Sequence, residues 1–184
     1  LTEKDFLNRI GVATAPFQAV ERFSELSGAL QAFQGAGILK TRRLGYDGKG
    51  QAVLNGADAR QVAAAFAALG GKALILEGYV PFTAEISIIA ARSRDGGFQA
   101  YDPARNTHDS GILAQSVVPS GLPPHVETAA IATAKSIMDA LDYVGVIGVE
   151  FFVLDDWTLL VNEIAPRVHN SGHWTEAACV ISQF

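Results

Sequence analysis

The stretch GILKTRRLGYDGKGQAVL, residues 37–54, sets Lys40, Arg42, Arg43 and Lys49 around Gly45, Gly48 and Gly50. Glycine lets backbone amides approach a ligand with no side chain in the way, and cations beside such a loop suit phosphate. A Walker A loop is excluded, because only Tyr46 and Asp47 separate the first two glycines and Gly50, not Ser or Thr, follows Lys49. The dinucleotide pattern G-x-G-x-x-G fails as well. What remains is a strand, basic residues, a glycine loop and a second strand, which describes a loop that folds over a triphosphate with Lys40 and the loop amides compensating its charge. The same residues would also serve an exposed hairpin with solvated charges, so the loop needs support from elsewhere.

That support comes from Glu150 in IGVEFFV and from Asn162 and Glu163 in LLVNEIAPR. If the intervening chain turns at Asp155-Asp156, these groups lie roughly opposite each other, and like charges facing across a ladder destabilise it by a few tenths to ~1 kcal/mol. A divalent cation reverses the sign. Oxygen ligands on two strands, with other positions left to water and phosphate oxygens, are the pattern Mg²⁺ uses in nucleotide sites. The competing reading is a glutamate turned to solvent at a frayed register. Glu85 in TAEISI is either an acceptor for a nucleotide hydroxyl or an exposed strand carboxylate, and spacing alone favours the second.

Directly after the carboxylate strand, APRVHNSGHWT gathers Arg167, His169, Asn170, Ser171 and His173, a dense donor set for an anionic or polar substrate. The spacing of His169 and His173 would suit a metal pair on a helix, but Gly172 and the missing glutamate of H-E-x-x-H argue against zinc. His108 in NTHDSG reads as a turn residue or as a ligand contact, and His125 beside Pro123-Pro124 as a helix-start residue. Trp174 and the pair Phe151-Phe152 read as core. No Ser-His-Asp constellation is legible, since chain order says nothing of geometry.

Elements that could position these groups alternate along the chain without repeats, a mixed α and β layout. AVERFSELSGALQAF, residues 19–33, carries apolar residues at helical spacing, and GILKT follows as a strand after Gly35-Ala36-Gly37. ADARQVAAAFAALGG is a second helix, capped by Asp58 and stopped by Gly70-Gly71, and KALILEGYV a strand after it. AEISIIAARS, GFQAYD and GILAQSVV read as short strands, the first two a hairpin around Asp95-Gly96-Gly97. A long helix is expected from near Pro124 to about Tyr143, then a hairpin over VGVIGVEFFVLDDWTLLVNEIAPR. A lobe boundary falls near residues 78–82, with nucleotide expected between the lobes.

Of 184 residues 49% are hydrophobic and 18% charged, enough apolar material for a substantial core, and the net charge of −5 is wrong for general nucleic-acid binding. The single cysteine, Cys179, excludes an internal disulfide and a cysteine zinc site, which makes a reducing cytoplasm the easier setting. No apolar run reaches the length of a membrane span. The chain starts at Leu1 without methionine and stops at Phe184 inside an expected helix, so a piece of a longer protein is expected.

Together, ILKTRRLGYDGKGQ, EGYVPFTAEISIIAAR, NTHDSGIL, GVIGVEFFV and NEIAPRVHNSGHWT resemble the N5-carboxyaminoimidazole ribonucleotide synthetases, ATP-grasp enzymes of purine biosynthesis. The likeness covers nearly the whole chain, and NEIAPRVHNSGHWT is its most specific string. It implies an α+β ATP-grasp fold, with two α/β lobes clasping the nucleotide and mostly antiparallel sheets. Residues 1–79 would form the small lobe with the phosphate loop, and 80–184 the large lobe with the metal and substrate loop. The family's flanking N- and C-terminal domains lie outside these residues, which puts independent turnover in question. The implied reaction uses ATP and bicarbonate to form carboxyphosphate, which carboxylates aminoimidazole ribonucleotide and releases ADP and phosphate.

By the same resemblance, Lys40 and the run Gly45, Tyr46, Asp47, Gly48, Lys49, Gly50 and Gln51 would hold phosphates, and Glu77, Gly78, Tyr79 and Val80 would meet adenine. Glu85 would take the ribose and His108 the nucleotide region. Glu150 and Glu163 would hold magnesium, one or two ions, with Asn162 beside them on the nucleotide. Tyr46, Arg167 and His169 would be catalytic and, with Asn170 and the neighbouring donor Ser171, line the side taking bicarbonate and the imidazole ribonucleotide. Small molecules are thus the expected partners, with no nucleic acid and no membrane, and a homodimer is compatible. Two rivals stay open: another ATP-grasp carboxylase or ligase, and a non-catalytic nucleotide-binding fragment.

Overall fold

Strand alternation and helix capping account for most of the elements in the computed structural model, which describes residues 1–42, 50–71, 73–109 and 111–184. In chain order these are α1 (Thr2–Arg9), β1 (Phe17–Val20), α2 (Phe23–Ala32), β2 (Ala36–Thr41), β3 (Gln51–Asn55), α3 (Ala59–Ala68), β4 (Leu74–Gly78) and β5 (Ala84–Arg92). There follow β6 (Phe98–Ala100), β7 (Ala104–Asp109), β8 (Ile112–Val117), α4 (Pro124–Ala140), β9 (Gly145–Val153), β10 (Leu159–Ala165), a 3₁₀ turn (Asn170–Gly172) and α5 (Thr175–Ala178).

The chain divides into two compact units. The body of the first is Ala15–Val80, while Glu3–Thr14, Pro81–Asp109 and Leu113–Phe184 belong to the second. Residues 3–14 therefore leave the lobe expected for 1–79. The cause is packing: Leu7 and Val12 enter the second unit's core, and the Val161 amide donates to the Ala13 carbonyl at 2.8 Å.

In the first unit, strands run β1-β4-β2-β3, antiparallel at each pairing. Val20, Leu39, Leu54, Leu74 and Leu76 are buried against Leu26, Leu30, Val62 and Phe66 of α2 and α3. Asp58 caps α3 as its sequence position predicts, accepting from the Arg60 and Gln61 amides at 2.9 and 2.8 Å while its own amide donates to Gln61 Oε1 at 2.9 Å. Gly70 and Gly71 end the segment with φ of +91° and +69°, a region costly to other residues. The helix expected from residue 19 begins instead at Phe23. Ala19 and Val20 pair with Ile75 and Leu74 in β1, and Glu25 Oε2 accepts from the Glu21 amide at 2.8 Å, marking the helix start.

In the second unit the order is β10-β9-β5-β7-β8, with β6 paired to β5. Ala84, Ile86, Ile88 and Ala90 of β5 and Ile147, Val149, Phe151 and Val153 of β9 bury one face against Val126, Ala130, Ala134, Ile137 and Met138 of α4. Alternation then sends Glu85, Ser87, Glu150 and Phe152 to the opposite face. The β5–β6 pairing, Ala90↔Ala100 to Arg92↔Phe98, agrees with the expected hairpin. Strand β7 was not expected: ARNTHD has no apolar alternation, and it is a strand because Glu85↔Asn106 pairing recruits it. No helix among the described residues is long and apolar enough to cross a membrane.

Phe151 is 1% exposed at the centre of the second core. Phe151→Ala should cost about 3–5 kcal/mol in urea unfolding, against about 1 kcal/mol for Asp58→Ala. Equal losses would contradict this packing.

Candidate functional site

The polar face of the second sheet is organised by one irregularity. In the β9–β10 hairpin, Val161 pairs with Phe151, but the next partner of Glu150 is Glu163, because the register shifts between Val161 and Glu163. An unbroken ladder would set Asn162 opposite Glu150. Asn162 is instead the extra residue of a β-bulge, and the two glutamates face each other. Helix α1 braces the bulge: Lys4 Nζ donates to the Asn162 carbonyl and the Ile164 amide to Glu3 Oε1, each at 3.3 Å. Burial, and secondly the charge of Glu163, hold the Glu3 carboxyl above its ordinary pKa. Glu3 and buried Lys4 were missed in the sequence, where no signal distinguishes them from surface charges of an amphipathic helix.

On β5, Ser87 neighbours Glu150 and Glu85 neighbours Phe152. His108 Nδ1 and Glu85 Oε2 lie 2.8 Å apart. That hydrogen bond raises the histidine's pKa against the opposing effect of burial, and the charges of Glu85, Glu150 and Glu163 add to it. His108 is thus a strand residue tied to Glu85 rather than a turn residue. Ser87 Oγ and Asn106 Nδ2 are buried on this face without a hydrogen-bond partner among the described residues. Phe152, expected in the core, instead stacks on Phe82 at a centroid distance of 4.7 Å. The reason is parity, since Phe151 takes the core side.

The loop after β10 lies over Gly148, where a methyl group would sit 2.7 Å from His169 Cβ. This glycine is therefore the floor of the site, a role invisible in the string VIGVEF. His169 is 7% exposed, and its Nδ1 accepts from the Ser171 hydroxyl at 2.8 Å and the Ser171 amide at 3.4 Å. With Nδ1 an acceptor, the ring proton is assigned to Nε2. Glu150 Oε1 stands 3.8 Å from Nδ1. Burial, followed by the positive charges of Arg167, His173 and His108, nevertheless pushes the imidazole down to about 4. Desolvation outweighs the carboxylate, and His169 is neutral at pH 7.

Arg167 is exposed, its Nη1 donating to the Val168 carbonyl at 2.8 Å, and Asn170 is exposed beside it. Ser171 is 0% exposed and serves His169. Trp174, half-buried, meets Tyr101 edge-on at 5.9 Å.

In the first unit, Lys40 Nζ pairs with Glu77 Oε2 at 2.9 Å, and Glu77 is 6% exposed. The Gly78 amide donates to the Pro16 carbonyl at 2.7 Å, Tyr79 is exposed and Val80 buried. Gly50 accepts from the Thr41 amide at 2.8 Å, and Gln51 pairs with Lys40. Arg43, Gly45, Tyr46, Asp47, Gly48 and Lys49 lie outside the described residues. Among the described residues no three His, Cys, Asp or Glu are grouped to hold a metal by themselves. Two opposed carboxylates fit a hard cation that completes its shell with water and phosphate oxygens.

Residues 5–184 match the ATP-grasp domain. The chain is 56% identical over 183 residues to the N5-carboxyaminoimidazole ribonucleotide synthase of Brucella melitensis biotype 1, covering 100% of this chain and 51% of that protein. With the synthase of Pseudomonas aeruginosa it shares 48% over 182 residues, covering 99% and 49%. The chain thus spans about half the length of the curated relatives it matches. A solved ADP complex of an N5-carboxyaminoimidazole ribonucleotide synthetase superposes with a TM-score of 0.91 at 39% identity, covering 99% of this chain and 48% of the other. The Aspergillus clavatus synthase with ADP and 5-aminoimidazole ribonucleotide gives 0.89 at 26% identity, covering 98% and 47%. From this match over residues 5–184, joined to the antiparallel sheets and the opposed carboxylates, it follows that the chain belongs to the ATP-grasp family.

Proposed function

We propose that this chain takes part in the ATP-dependent carboxylation of 5-aminoimidazole ribonucleotide with bicarbonate, in purine biosynthesis and hence in the cytoplasm. The observation that carries the reading is Glu163 opposite Glu150, on the sheet face that bears the Glu85–His108 pair and neutral His169. It is supported by 56% identity to a protein named as the synthase. In this reading a bicarbonate oxygen attacks the γ-phosphorus of ATP and the bond to the ADP oxygen breaks. The amine of the ribonucleotide then attacks the carboxyl carbon, losing a proton as phosphate departs.

Glu150 and Glu163 would hold Mg²⁺, which when bound supplies charge neutralisation for the phosphates. Lys40 with residues 45–51 takes the phosphates, Glu77 to Val80 the adenine and Glu85 the ribose, with His108 and Asn162 beside them. Arg167 is the exposed cation for the charge that develops on carboxyphosphate, with Tyr46 and Asn170 on the same side. His169, neutral with its proton on Nε2, donates a hydrogen bond there without adding a second charge. Ser171, being buried, is assigned to holding that tautomer rather than to touching substrate.

Glu163→Gln should abolish most nucleotide hydrolysis and leave stability nearly unchanged, since Glu163 is an exposed strand residue. Full activity at saturating magnesium would remove the metal assignment.

Arg167→Ala should lower formation of carboxylated product from labelled bicarbonate by ~10²-fold, with ATP affinity by calorimetry unchanged. An undiminished product yield would refute the role of Arg167.

The His169 pKa of about 4 lies below the ordinary 6.5, so the unfolded chain takes up its proton first on acidification. Stability from this group is fully present above pH 6.5 and lost as pH falls toward 4, in all about 3 kcal/mol. His108 shifts the opposite way, so its contribution is fully present below 6.5 and is lost only as pH rises through its raised pKa. Unfolding free energies from pH 7 to 5 should therefore slope less in His169→Gln than in the wild type. Parallel curves would show that His169 is not buried neutral.

A further inference from the structure

Past the catalytic loop, Gln183 is 3% exposed although a glutamine carries two polar atoms that are costly to bury. Both are spent on one residue. Gln183 Oε1 accepts from the His169 amide at 2.9 Å, and Nε2 donates to the His169 carbonyl at 2.8 Å. This is the exchange of two hydrogen bonds that a neighbouring strand would make, delivered here by a side chain. Gln183 is itself anchored, its amide donating to Thr175 Oγ1 at 3.1 Å while that hydroxyl donates to the Gly172 carbonyl at 2.7 Å. Gly172 leaves the room for it: a methyl group there would lie 2.4 Å from Gln183 Oε1 and 2.9 Å from Ile89 Cγ1.

We propose that Gln183 is a positioning residue that fixes the backbone of His169, and so the place of its imidazole over Gly148 and beside Glu150. The proposal rests on the reading of His169 as a substrate-side group. A leucine or methionine would fill the same space without desolvating an amide, so packing alone does not call for glutamine. Its two hydrogen bonds hold the peptide groups on both sides of His169, the carbonyl accepting also from the Gly172 amide at 2.9 Å. The Ser171 contact then sets the ring, and a displacement of about 1 Å in such a group is enough to cost ~10²-fold in rate.

The test uses the protein as it is expressed in the cell, with Gln183→Met as the volume-matched variant. Turnover to carboxylated product should fall by ~10-fold to 10²-fold, while the KM for ATP stays within about twofold because the assigned nucleotide contacts lie elsewhere. In a His169→Ala background the same change at 183 should add little, since its effect passes through the lost ring. In Gln183→Glu, which keeps the acceptor for the His169 amide but regains the donor only on protonation, turnover relative to wild type should rise as pH falls. That variant decides the matter if Gln183→Met does not fold. Losses that multiply fully in the double variant would overturn the proposal. Undiminished turnover in His169→Ala would overturn the role of His169 instead.

Discussion

Two carboxylates facing each other across an antiparallel ladder repel, and the second unit is built so that Glu150 and Glu163 nevertheless do so. The bulge at Asn162 is the device. It breaks the alternation once, exchanging an amide for a carboxylate opposite Glu150. Holding that break requires partners outside the hairpin. Glu3 and Lys4 supply them from the far end of the sequence, on the segment 3–14 that packs with this unit through Leu7 and Val12. An acidic centre of this kind is a poor contributor to stability and a good receiver of a hard cation.

Around this pair, charge is sorted by burial. The hydrogen bond to Glu85, and secondarily the charges of the surrounding carboxylates, raise the pKa of His108 against the effect of its burial. His169, 3.8 Å from Glu150, is kept neutral because its ring is buried and its Nδ1 is already an acceptor. Two histidines on one sheet face are thus shifted in opposite directions. At His169 burial is the largest cause and the positive charges of Arg167, His173 and His108 act with it, whereas at His108 the hydrogen bond to Glu85 outweighs burial.

The first unit solves a different problem. Its sheet buries Glu77, and the cost is met by Lys40, whose ammonium sits 2.9 Å away. Tight contact at Gly78 with Pro16 locks the strand end that precedes exposed Tyr79. The segment proposed to meet adenine is thus closely packed at Gly78 and exposed at Tyr79.

Much was legible in residue order. Local chemistry determined the Asp58 cap, the Gly70-Gly71 stop, the β5–β6 hairpin and the turn at Asp155-Asp156, because each depends on neighbours a few positions away. The string NEIAPRVHNSGHWT was singled out as a candidate site for the same reason: its donors are contiguous. Strand β7, the placement of α1 and the side taken by Phe152 were decided only by tertiary structure, since each depends on partners tens of residues away. So was the meaning of Gly148, Gly172 and Gln183, which as letters are a strand glycine, a loop glycine and a polar residue near Phe184. Folding brings them to within contact of His169 or of one another, and burial there gives each a role that local order cannot specify.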